Sequence, residues 1–207
     1  MVPASELLAL FRAIASGKQL QAIDLLDSFP RLALLAAEEG ATRQESQNYF
    51  LAAIEHYIYA GDTALHIAAA AYSDEIAREL VARGANPRAR NRRGAEPLHY
   101  AAVGTPGSRH WNPAGQKAVI ELLIRAGADP NCRDASGVAP LHRAVRTRCA
   151  AAVRELLARG ADPRGTNRNG STPLFLAHRT TGRGGTGTVA AREQQAEIIR
   201  LLVEHGA

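Results

Sequence analysis

Lysine is almost missing from this chain. Lys18 and Lys117 are the only two, so nearly all of the 25 basic residues are arginine. Cysteine is as sparse: Cys132 and Cys149 stand alone, with no partner at metal-ligand spacing, which argues against a disulfide framework and a structural zinc site. Aromatic residues make up 5% of the sequence, and Trp111 is the single tryptophan. With little aromatic bulk and abundant alanine, the composition points to closely spaced helices. No apolar run approaches the roughly 20 residues that cross a bilayer. The opening segment "MVPASELLALFRAIASGKQL" lacks the basic region of a secretory leader and carries Glu6 and Arg12 among helically spaced apolar residues. These absences predict a soluble, reduced, cytoplasmic protein. A formal net charge of +5 favours acidic partners.

What the chain does have is an internal period. "GDTALHIAA" from Gly61, "GAEPLHYAA" from Gly94, "GVAPLHRAV" from Gly137 and "GSTPLFLAH" from Gly170 align with one another. Each precedes an amphipathic stretch closing on Gly-Ala, as in "IARELVARGANP" and "VRELLARGADP". The spacing is 33 residues, then 43, then 33, so the second unit carries an insertion. Each unit has a physical logic. Glycine supplies a turn with positive φ. Thr suits an N-cap and Pro the first helical position, so "TP" opens a short inner helix. A second helix repeats Ile, Val and Leu every three to four residues on one face, and the Gly of "GA" ends it. One such pair cannot bury its apolar faces alone, whereas stacked neighbours can.

On these motifs the chain resembles the ankyrin-repeat family, over about residues 61–207 in full units. The resemblance implies an all-α repeat fold, a solenoid of helix pairs with β-hairpin fingers. Four units are expected, at 61–93, 94–136, 137–169 and 170–207. Departures occur in each: Ala64 replaces Pro in the first, Glu96 and Ala139 replace Thr in the second and third, and Phe175 replaces His in the fourth. Capping in the middle units should be weaker for that reason. Residues 1–30 resemble a degenerate N-terminal capping pair, with Ser5 a candidate N-cap, Leu7, Leu8, Leu10, Phe11 and Ile14 on one face, Gly17 at the turn, and Leu20, Ile23, Leu25 and Leu26 in the second helix.

Three segments break the period. Residues 31–60 form an insertion whose latter part has a helical pattern and holds Tyr49, Phe50, Tyr57 and Tyr59. Those rings are expected to pack the insertion onto the array; the alternative is an aromatic contact surface. The second unit inserts "GTPGSRHWNPAG" around Trp111, and the fourth inserts "TTGRGGTGTVAAREQ". Trp111 can serve as a binding element or belong to a tolerated loop.

Catalytic and metal chemistry find little support. Gly182, Gly184 and Gly187 satisfy G-x-G-x-x-G, but no strand precedes them, as a dinucleotide site requires. His66, His99 and His142 recur because they belong to the "LH" motif, and the family resemblance makes them structural. No nucleophile motif, metal site or cofactor is expected.

In the ankyrin family, partners dock mainly on the concave face of fingertips and inner helices. Carried over by position, the fingertips present Arg90, Arg92 and Arg93, then Arg133, then Arg168. The inner helices present Tyr100 and Arg143, with Arg146 one turn beyond. Acidic residues are rare at those positions. Arginine favours planar, bidentate partners such as carboxylates and phosphates. The expected function is therefore a protein–protein interaction scaffold. It would hold an acidic surface or segment of a protein partner on an arginine-rich concave face, with Tyr100, Trp111, Tyr57 and Tyr59 as apolar anchors. The alternative is nucleic acid on the same basic groove, although base-stacking platforms are lacking. No membrane or small-molecule substrate is expected.

Overall fold

Helices occur where apolar residues recur every three to four positions, and they stop where Gly-Ala begins. The computed structural model describes residues 4–179 and 188–207, so the Gly182–Gly187 pattern lies outside the described residues. At the N-terminal end, α1 (Ala4–Ala15) and α2 (Gln19–Ser28) form a helix pair. It buries Leu7, Leu10, Phe11 and Ile14 from α1 and Leu26 from α2. Ser5 lies inside α1 rather than capping it, and Leu20 is exposed.

Four further pairs follow among the described residues: α3 (Ala64–Ala70) with α4 (Asp74–Ala82), α5 (Pro97–Ala101) with α6 (Pro113–Arg125), α7 (Pro140–Arg146) with α8 (Ala150–Ala158), and α9 (Pro173–His178) with α10 (Val189–Glu204). The short helices α3, α5, α7 and α9 stack in sequence as an inner layer, and α4, α6, α8 and α10 stack outside them. Alanines 68, 101, 144 and 177 sit at one recurring inner-helix position, all buried, and their small size lets the inner helices approach closely. Leu65, Leu98 and Leu141 recur beside them, essentially without exposure. A buried leucine of this kind stabilises by about 1.5–3 kcal/mol. Each outer helix ends at a glycine with positive φ, and the following alanine N–H closes back on the helix, as from Ala85 to Leu80 O (2.9 Å) and Ala161 to Leu156 O (3.0 Å).

The inserted segments behave differently from one another. Asn112 caps α6 by accepting from the Gly115 N–H at 3.0 Å, so the insertion of the second unit ends in a cap. The tail of the fourth insertion is the first turn of α10, with Thr188 accepting from the Ala191 N–H. Residues 31–60 do not form the expected helix. They make single 3-10 turns and a two-residue antiparallel pair, β1 (Phe50–Leu51) and β2 (His56–Tyr57), around Glu55 in the left-handed region. The reason is long-range pairing of the backbone. Ala41 N–H donates to Ile58 O (2.7 Å), Ile58 N–H to Tyr49 O (2.8 Å) and Ala37 N–H to Asp62 O (2.8 Å). Leu51 and Ile58 are buried from this hairpin, and apolar spacing alone could not distinguish that arrangement from a helix face.

Consecutive units are tied by histidine. The backbone N–H groups of Thr63, Glu96 and Ala139 donate to Nδ1 of His66, His99 and His142 at 3.1, 3.1 and 3.3 Å. An amide can only donate, so the proton of each ring is on Nε2. Nε2–H then donates forward to Ala95 O (3.1 Å), Val138 O (2.9 Å) and Ser171 O (3.2 Å). Each ring accepts from the N–H just before its inner helix whichever residue stands there, so this bond survives the replacement of Thr by Glu96 and Ala139. Phe175 in the fourth unit is exposed and cannot make such a bridge. The fingers are tight turns. In each, an Asx side chain accepts from two backbone N–H groups: Asn91 from Arg93 and Ala95, Asp134 from Ser136 and Val138, Asn167 from Asn169 and Ser171. Neighbouring fingers join through Ala135 N–H to Arg93 O (2.9 Å) and Arg168 N–H to Ser136 O (3.2 Å).

Two expectations follow from this framework. Burial lowers the pKa of His56 and of His99 from 6.5 to about 4. Above pH 6.5 both rings are neutral whether or not the chain is folded, and their full contribution to stability is present. As the pH falls toward 4, the unfolded chain binds protons that the folded one refuses, at a cost on the order of 3 kcal/mol for each ring. The urea midpoint should therefore fall steadily between pH 6.5 and 4, and a flat profile would contradict buried neutral imidazoles. The second expectation concerns Gly61, at φ +87, where a Cβ would lie 2.7 Å from Asn91 Cα. Gly160 has φ +86 but open space around it. Alanine at Gly160 should cost about 1–2 kcal/mol, and Gly61→Ala distinctly more, as read by the shift in thermal midpoint.

Candidate functional site

The insertion and the first finger meet to build a cleft. Thr42 Oγ1 accepts from the Gln44 and Glu45 N–H groups (3.3 and 3.0 Å), which turns the chain back over the array. Arg92 is fixed from both ends: its backbone N–H donates to Ala60 O (2.8 Å), and its guanidinium donates to Ala41 O. The Arg92 and Arg93 guanidinium carbons lie 5.4 and 4.7 Å from the Tyr59 ring centre, so one aromatic ring holds two cations. Beside them opens a space of about 400 Å³ lined by Thr42, Arg43, Ser46, Tyr57, Tyr59, Arg92 and Arg93, with Ala41 at its base. Phe50 and Tyr57 stack at 4.8 Å on the neighbouring hairpin and are 40% and 38% exposed. Among the described residues, Arg43, Arg92 and Arg93 pair with no carboxylate. The cleft therefore concentrates positive charge, four hydroxyls and exposed aromatic surface.

The other arginines expected in the groove do different things. Arg90 pairs with buried Glu96 (3.1 Å) and donates to Arg133 O (2.9 Å). Arg133 in turn donates to Thr166 O. Each thus pins the next finger in place, which is an architectural role. Arg143 pairs with Asp134 at 2.9 Å. Burial alone would raise the Asp134 pKa, but hydrogen bonds from Arg143 and from the Val138 and Ser136 amides hold it below the ordinary value. The expectation that acidic residues stay away from the groove is corrected here, because Glu96 and Asp134 both come to its arginines. Arg146 and Arg168 have exposed side chains, and Arg146 belongs to a separate small pocket.

Two expected anchors turn inward. Tyr100 is only 3% exposed, and its hydroxyl donates to Asp62 (2.9 Å to Oδ1) while accepting from Asn91 Nδ2 (2.8 Å). Asp62 itself is fully buried and also accepts from the Tyr59 N–H at 2.7 Å. His56 packs edge-on against Tyr100 at 4.5 Å, beneath the cleft. Trp111 is half-buried, with its indole N–H donating to Gln116 at 2.9 Å. Gln116 donates to Ala101 O (2.9 Å) and accepts from the Cys149 thiol at 3.2 Å, so Trp111 closes the gap between inner and outer layers. Arg43, Thr42 and Ser46 were not singled out from sequence. They fall in "ATRQES", a polar stretch with no period to mark it.

The reactive side chains are occupied structurally. Cys132 Sγ lies 3.7 Å from His99 Nδ1, but burial and the neighbouring Glu96 push its thiol pKa far up. His99 has both ring nitrogens engaged, and His66 and His142 are engaged in the same way. Among the described residues no three His, Cys, Asp or Glu side chains gather as metal ligands. No helix among them is long and apolar enough to cross a membrane.

A comparison with curated proteins finds no match. A family model described as ankyrin repeats, in three copies, matches residues 10–109 and again 112–207. Ankyrin repeats are in general protein–protein interaction modules and typically non-enzymatic scaffolds. The histidine-bridged helix pairs, the Asx-closed fingers and this match over nearly the whole sequence agree: the chain belongs to the ankyrin-repeat family.

Proposed function

We propose that this protein is a scaffold that binds an acidic segment of a protein partner, with the cleft of Arg43, Arg92 and Arg93 as the principal contact. The observation that carries this reading is the gathering of Arg92 and Arg93 at the Tyr59 ring, beside a third arginine, with no carboxylate paired to them among the described residues. Arginines already held beside an aromatic ring lose less rotamer freedom when they engage a carboxylate. The exposed Phe50–Tyr57 pair next to them supplies the apolar surface that interface hot spots use. Arg168 extends positive charge along the fingers. Arg90, Arg133 and Arg143 shape the groove through their intrachain partners, and Tyr100 stiffens it from within. Two buried, unpaired thiols suit the reducing cytoplasm.

An Arg92→Glu/Arg93→Glu variant tests this. Affinity capture from nuclease-treated lysate should recover a protein partner with the wild type and at least tenfold less with the variant. An Arg12→Glu/Lys117→Glu variant, with the same charge change on the exposed faces of α1 and α6, should retain it. Equal loss from both variants would reduce the effect to net charge. Recovery of nucleic acid instead, collapsing steeply as salt rises, would replace the acidic protein with a phosphate backbone.

A further inference from the structure

A second cluster of arginines lies between the third and fourth units, where the inner helices end away from the fingers. Arg146, Arg148 and Arg179 line a pocket of about 70 Å³ whose apolar wall is Val145, Leu176 and Ile198. Arg148 is the unusual member. It is 93% buried by its 7% exposure, and its Nε lies buried with no hydrogen-bond partner. Among the described residues no carboxylate pairs with any of the three guanidiniums. A guanidinium keeps its proton when buried, so the Arg148 Nε–H, enclosed without an acceptor, carries an uncompensated desolvation cost.

Backbone geometry sharpens the point. Arg148 has φ +56 in the turn between α7 and α8, a conformation that favours glycine. Tyr72 holds the same place between α3 and α4, at φ +54. Tyr72 has a structural reason to be there, because its hydroxyl donates to Val103 O in the next unit. Among the described residues the Arg148 side chain has no such partner, so its left-handed backbone is not offset by a hydrogen bond of that kind.

We infer that this pocket is a binding site for a carboxylate, delivered on the short apolar stem of a partner protein's glutamate or aspartate side chain. The space suits one carboxylate with one or two methylenes. The stem would lie on Val145, Leu176 and Ile198, and the planar carboxylate would meet the planar fork of Arg148. Arg179, held over the Phe175 ring at 5.6 Å, and Arg146 would complete the charge around it. This site shares no residue with the Tyr59 cleft and stands or falls independently of it.

The probe is N-acetylglutamate α-amide, a single side-chain carboxylate without other charge, titrated at constant ionic strength against chloride. N-acetylglutamine α-amide and inorganic phosphate serve as the comparison arms. The Arg148 Nε–H resonance should shift and saturate in the millimolar range with the glutamate derivative alone. Arg148→Gly should weaken that binding at least tenfold. In chloride it should unfold at a temperature no lower than the wild type, because glycine relieves the φ strain and removes the unpartnered Nε. Three results overturn the inference. A lower unfolding temperature for Arg148→Gly in chloride would make the residue structural. An equal response to the glutamine derivative would remove carboxylate selection. A response to phosphate alone would make the ligand a free anion and exclude a partner's side chain.

Discussion

The neutral imidazole of His66, His99 and His142 is the constraint on which the array depends. One ring nitrogen accepts from the N–H of the residue just before its own inner helix, and the other donates across to the carbonyl of the next unit. A single side chain therefore sets both where the helix begins and how far away its neighbour lies. Protonation would convert the accepting nitrogen into a donor facing an amide, so the bridge holds only in the neutral form. The same occupancy explains why recurring histidines near buried Cys132 yield neither a metal site nor a base. Both lone functions of the ring are already used to hold the units in register.

Arginine is divided by the same framework into two populations. One is consumed by architecture: Arg90 and Arg133 reach successive fingers, Arg143 neutralises Asp134, and Arg83, Arg154 and Arg159 cross-brace the outer layer through carboxylates. Others have no carboxylate partner among the described residues; six of these line two pockets, Arg43, Arg92 and Arg93 beside Tyr59 and Arg146, Arg148 and Arg179 between the third and fourth units. A net charge of +5 does not separate these populations, because it counts a paired arginine and an unpaired one alike. Position in the array does. The unpaired groups sit where the period is broken or ends its inner layer, and the paired ones where a neighbouring unit supplies a carboxylate or carbonyl.

This division also shows which features sequence can carry. The helix pairs were legible because their signals are local: Gly-Ala stops, the Pro that opens an inner helix, and leucines every three to four residues. Trp111 and Tyr100 were read as surface candidates because their partners are remote. The Tyr100 hydroxyl is satisfied by Asp62, 38 residues earlier in the chain. The 31–60 segment carries an apolar spacing compatible with a helix, yet its amides pair with Asp62, Ile58 and Tyr49 across the loop. Local pattern counts apolar positions; it does not say whether a backbone N–H will find its carbonyl four residues back or in another strand. The same limit hid Arg43, whose significance comes only from lying beside Arg92 and Arg93.

The two unpaired clusters differ in how they remain stable without a partner, and that difference bears on what each can do. Around Tyr59 the charges face a wide opening and are screened by water, while the ring's π face offsets part of their repulsion. Such a surface is tolerated in the free protein and suits capture of a partner from solution. Around Arg148 the Nε–H is buried without an acceptor and the backbone is left-handed, so the free state bears a cost that an anion bound at the guanidinium would offset. A site of that kind adds little to the first encounter, because it is narrow and recessed. It discriminates afterwards, since a segment lacking a carboxylate at the matching position would leave the guanidinium buried and unpaired.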